Sequence, residues 1–88
     1  MATYVRARAY TLDQDTLTNR FGLSGTALAR RAALSVETVR KQQRVHTYPP
    51  GKVPNIELAK AERIAAALDQ PVDALFCYPN GDPIGGAL

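Results

Sequence analysis

Five basic side chains, Arg30, Arg31, Arg40, Lys41 and Arg44, stand beside a single acid, Glu37, in LARRAALSVETVRKQQR, residues 28–44. Cations at this density neutralise phosphate. Held in register on a helix, an arginine or lysine can also give two hydrogen bonds to one guanine, and a glutamate can accept from the amine of cytosine. The chemistry on offer is recognition of a polyanion rather than bond making. Catalytic ingredients are sparse, because His46 is the only histidine and Cys77 the only thiol. Neither a metal cluster nor a nucleophile with its base assembles from one of each. The expectation is no enzymatic activity, no cofactor and no metal.

Charge is unevenly distributed along the 88 residues. Residues 1–52 carry nine Lys or Arg against Asp13, Asp15 and Glu37, a net +6, and residues 53–88 carry two against five acids, a net −3. Such asymmetry suggests a polyanion-facing front and a solvated back; the competing explanation is that Arg-rich helices of a high-GC genome look like this anyway. A chain of this length builds one small domain with a modest core and leaves little room for an enclosed active site or an effector site. Cys77 alone makes no internal disulfide, and no apolar run is long enough to span a membrane. The first residues, MATYVRARAY, place arginines where a signal peptide needs an apolar block. The expected location is cytoplasmic.

A repeated start pattern organises the basic region: LDQDTL at 12–17, LSGTAL at 23–28 and LSVETV at 34–39. In each, an apolar residue precedes a capping residue (Asp13, Ser24, Ser35) and a second apolar residue follows four positions after the cap. This is the pattern of a capped helix start with a hydrophobic staple. Starts spaced by eleven residues leave helices of about two turns, which do not persist alone in water and must be held by packing. Leu17 and Phe21, then Leu28, Ala29 and Ala32, then Val36 and Val39 are the apolar positions available, and Gly22 closes the first helix. The short link from Ala32 to Val36 predicts a sharp corner.

RVHTYPPGKVPN, 44–55, is a loop by its prolines and glycine. IELAKAERIAAAL, 56–68, predicts the longest helix, capped by Asn55, with a stripe of Leu58, Ala61, Ile64, Ala65 and Leu68. PVDALF, 71–76, predicts one more helical turn. CYPNGDPIGGAL reads as a loose tail that Tyr78 or Ile84 could tack down. At the other end YVRARAYTL alternates as a strand does, although its alanines also allow helix.

GLSGTALARRAALSVETVRKQQR, followed by a long helix and PVDALF, resembles the helix-turn-helix domain of Cro and the lambda-type phage repressors, the Xre-like family. The resemblance covers about residues 12–76. It implies an all-α, five-helix domain over 12–76, with a short N-terminal strand or arm at 1–11 and a C-terminal tail at 77–88. It further implies that 24–32 is the first helix of the motif and 35–44 the recognition helix. The implied function is that of a small sequence-specific transcription regulator, of phage or actinobacterial type, which occupies an operator as a homodimer on a palindrome. On this pattern Val36, Glu37, Arg40 and Lys41 fall where members of the family touch bases. Ser24 and Ser35 stand at two helix mouths near the phosphates, and Thr26, Thr38, Arg44 and Lys52 are further phosphate candidates. If the N-terminal segment is a mobile arm, Arg6 and Arg8 can enter a minor groove. The plainer reading of helix three is a solvated face braced by Glu37 and Lys41 at i,i+4.

Two residues depart from the family pattern. Ala33 stands where a turn glycine is usual, and Gln42 where an apolar residue usually faces inward; if buried, Gln42 needs partners. A reading from another class keeps the helices and makes the chain an antitoxin or adaptor whose main partner is a protein.

Overall fold

Val5 and Ala7 are fully buried while Tyr4 between them and the N-terminus is exposed, the alternation of a strand with one face on a core. The computed structural model describes residues 2–85. In it β1 (Tyr4–Ala7) is the centre of a three-stranded antiparallel sheet with β2 (Ile56–Glu57) on one side and β3 (Phe76–Cys77) on the other. Tyr4 pairs with Glu57 and Val5 with Ile56; Arg6 pairs with Cys77 and Ala7 with Phe76.

The sheet corrects the all-α expectation. Its outer strands are two residues each, too short to imprint a period on the sequence. Ile56 and Glu57 stand at the head of the range 56–68 expected to be helix, so β2 lies inside a stretch read as helical. Accordingly α4 begins later than expected, spanning Leu58–Ala67 with Glu57 rather than Asn55 in the capping position.

The remaining helices lie where the capping pattern puts them. Helix α1 (Gln14–Thr16) passes directly into a π-helical turn, Leu17–Phe21, closed by Gly22 in the left-handed region at φ 65°. Helices α2 (Gly25–Ala32), α3 (Val36–Gln43) and α5 (Val72–Leu75) complete the set. Leu12, Leu17, Leu28, Ile64, Leu75 and Phe76 are almost wholly buried and form one core with Val5 and Val39. The strand and the helices thus share one apolar interior.

The division at 11 and 76 is therefore not a division of the fold. Residues 1–11 contribute the central strand, and β3 straddles the boundary between the expected domain at 12–76 and the expected tail at 77–88. Beyond it the Tyr78 amide donates to the Asp82 carbonyl (2.9 Å), Cys77 bridges to Pro83 and Ile84 is buried. The tail is tacked down through Ile84, as the sequence allowed.

Candidate nucleic-acid interface

The site is built from two capped helix starts and the corner between them. Ser24 and Ser35 have extended backbones, and their hydroxyls accept from the amides of Ala27 (3.1 Å) and Thr38 (3.2 Å). Each satisfies one of the donors that a helix start leaves free. Between the helices Ala33 takes φ 56°, ψ 44°. The Ala33 amide donates to the Arg30 carbonyl (3.2 Å) and the Leu34 amide to the Ala29 carbonyl (2.9 Å). This is the Schellman arrangement, which normally favours glycine. From α4, Arg63 Nη2 donates to the Ala33 carbonyl at 2.8 Å, pinning the corner from outside.

The corner presents α3 with one face inward. Val39 and Gln42 are buried, whereas Glu37, Arg40, Lys41 and Arg44 are exposed together on the opposite side, and Val36 lies half-buried at its edge. All four residues expected to read bases are thus on or beside one outward face. Glu37 pairs with Arg40 (3.9 Å) and not with Lys41. With both side chains about half exposed or more, that ion pair contributes little, and it leaves Lys41 and Arg44 without a carboxylate partner among the described residues.

The buried Gln42 explains how α3 is held. Its Oε1 accepts from the Ala7 amide at 2.8 Å, and its Nε2 donates to the Pro54 carbonyl at 3.1 Å. One side chain ties α3 to the central strand and to the loop that follows α3. An apolar residue here would leave a strand amide without its partner. Nothing in the local sequence marks this; the only signal is a polar residue at an inward position.

The phosphate candidates divide. Ser24 and Thr26 line an open concavity of about 390 Å³ together with Val36, Arg40, Arg44 and His46. Its floor includes Gly25, where a Cβ would come within 2.7 Å of the Gln43 amide group, so the start of α2 and the end of α3 approach closely. Asp13 is the one acid on its wall. Thr38 is half-buried, its hydroxyl 2.7 Å from that of Ser35, so capping already engages both. Lys52 is exposed on a turn closed by its own amide to Pro49 (3.0 Å) and does not line the concavity.

Arg6 and Arg8 do not belong to a mobile arm. Arg6 lies on the central strand, its Nε buried; the Arg8 amide donates to the Leu75 carbonyl (2.9 Å) and its Nε to the Asp73 carbonyl (3.2 Å). Backbone paired on both sides cannot swing into a groove. Sequence reasoning also left His46 without a role, although it stands on the concavity wall directly after α3. Among the described residues no three His, Cys, Asp or Glu side chains gather where they could hold a metal, and no helix is long and apolar enough to cross a membrane. Compared with family models, with curated proteins and with solved structures, the chain matches none.

Proposed function

We propose that the chain is a sequence-specific DNA-binding regulator that lays the outward face of α3 in the major groove of duplex DNA. The observation carrying this reading is the corner at Ala33, which props a short helix outward with Arg40, Lys41 and Arg44 exposed on one side. A helix of this width fits the major groove, where each base pair shows its own donors and acceptors. The resemblance of residues 24–44 to the Cro and repressor motif supports the same assignment. In this reading Arg40 and Lys41 read guanine edges, Glu37 reads cytosine and Val36 meets a thymine methyl. Ser24, Thr26 and Arg44 seat a phosphate at the mouth of α2, and Ser35, Thr38 and Lys52 are the further backbone contacts. The regulator acts by occupying its operator, as a two-fold pair on a palindrome.

The test is fluorescence anisotropy of labelled duplex DNA over a salt series. If Arg44 and Lys52 each neutralise one phosphate, log affinity falls against log salt with a slope of about −2 per protomer, and steeper if α3 adds further contacts. Binding that ignores salt, or no binding to duplex at all, contradicts the reading and favours a protein as the chief partner.

A further inference from the structure

Tyr10 is the most exposed large apolar side chain among the described residues, at 63%, and its backbone is left-handed at φ 65°. A bulky residue there is strained, and such a conformation persists only where its surroundings impose it. They do so from both sides. After β1 the chain reverses, the Thr11 amide donating to the Arg8 carbonyl (3.2 Å). The Thr11 hydroxyl lies 2.7 Å from the Arg8 carbonyl and 3.0 Å from the Leu75 carbonyl, and the Thr16 hydroxyl donates to the Tyr10 carbonyl at 2.9 Å. The turn throws the ring outward instead of into the core.

There it stacks on His46, the ring centroids 4.5 Å apart and the planes 29° from parallel. His46 is exposed, in the 3₁₀ turn Val45–Thr47 that follows α3 directly, and lines the concavity with Arg40, Arg44, Ser24 and Thr26. An aromatic pair is thus fixed beyond the C-terminal end of α3: His46 shares the concavity wall with Arg40 and Arg44, and Tyr10 is stacked on it.

The geometry points to Tyr10, stacked on His46, as an aromatic contact surface for the sugar–phosphate backbone of duplex DNA at the flank of the groove that α3 enters. This rests on the proposed DNA-binding reading and enlarges its footprint beyond α3 to the turn after β1. Tyrosine serves such sites because its ring packs on deoxyribose while its hydroxyl reaches a phosphate oxygen. The arginines alongside hold the polyanion close, and a ring already stacked and locked in a rigid turn loses little freedom on binding.

The distinguishing property is that Tyr10→Ala removes a ring and a hydroxyl but no cation. In anisotropy with fluorescein-labelled mixed-sequence duplex, Tyr10→Ala is expected to weaken binding roughly fivefold or more, about what one lost hydrogen bond to a phosphate oxygen is worth. The salt slope should stay that of the wild type, whereas Arg44→Ala reduces it by about one. Because Tyr10→Ala could also disturb the turn, nitration of the unaltered protein by tetranitromethane gives an independent readout. Tyr10 should nitrate readily when free and be protected by duplex, with Tyr4, paired into the sheet opposite Glu57, as the reference. Unchanged affinity for Tyr10→Ala, or Tyr10 nitrated equally in the complex, overturns the inference while leaving the DNA-binding reading intact. A loss seen with the single strand and not with duplex also overturns it, since the ring would then be stacking on unpaired bases. A wild-type protein that binds no duplex at all overturns both.

Discussion

Gln42 and Ala33 are the two residues on which the presentation of α3 turns, and each makes a separate prediction. Gln42→Leu fills the same volume but leaves the Ala7 amide and the Pro54 carbonyl without their buried partner. A buried orphan group costs about 1–3 kcal/mol, so urea unfolding should show a loss of about 2 kcal/mol. An unchanged midpoint would mean that the side chain does not tie α3 to β1. Ala33→Gly should act in the opposite direction. The left-handed conformation costs a non-glycine residue about 1 kcal/mol, partly offset by the greater freedom of glycine in the unfolded chain. A rise of a few tenths of a kcal/mol up to about 1 is expected, which for a domain of this size lifts Tm by up to about 8 °C. A fall would show that the turn has a different conformation. The Ala33 effect was legible, since a glycine is usual at that turn; the Gln42 effect was not, because its bond is to a strand 35 positions away.

At the scale of elements, what was legible and what was not divides by the range of the signal. The starts of α1, α2 and α3 were readable because Asp13, Ser24 and Ser35 each precede an apolar residue at fixed spacing, and a cap is a local device. Asp13, however, holds the position without capping: its side chain accepts no amide of the first turn and Oδ1 is buried without a partner among the described residues. The outward face of α3 was readable for the same reason, since helical periodicity alone separates Val39 from Arg40 and Lys41. The sheet was not readable, because pairing is long-range and β2 and β3 are too short to leave an alternation. Ile56 and Glu57, which form β2, were read as the first residues of the helix at 56–68. The place of β1 at the centre of the sheet carries its own prediction. Val5→Asp puts an unpaired carboxylate where Val5 is fully buried, a change that costs several kcal/mol. Circular dichroism should show a chain with no cooperative transition. If N-terminal residues were an arm, the same substitution would leave melting unchanged and alter only DNA affinity.

For the whole molecule, the charge asymmetry of the sequence becomes a geometric one only in part. Arg40 and Arg44 line the concavity at the start of α2, whereas Arg31 and Arg63 lie by its far end with Ala32 and Ala33. These cations are therefore spread over more than one side, and in the proposed reading it is α3 that discriminates sequence. The proposed two-fold pairing also gains a constraint. β1 lies at the centre of the sheet, so strand pairing with a second copy would use the outer edges of β2 or β3, and oligonucleotides selected from a random pool should show by their symmetry whether two protomers bind together. Those same oligonucleotides supply the most direct test of the central claim. Affinity for the selected duplex is measured against mixed-sequence duplex, for the wild type and for Arg40→Ala, Lys41→Ala and Lys52→Ala. A bidentate base contact is worth about 1–3 kcal/mol, or roughly 5- to 150-fold. The preference for the selected site should fall by that order in Arg40→Ala and Lys41→Ala and stay unchanged in Lys52→Ala, which weakens both duplexes alike. An equal loss on both duplexes for all three variants would contradict the claim that the outward face of α3 reads bases.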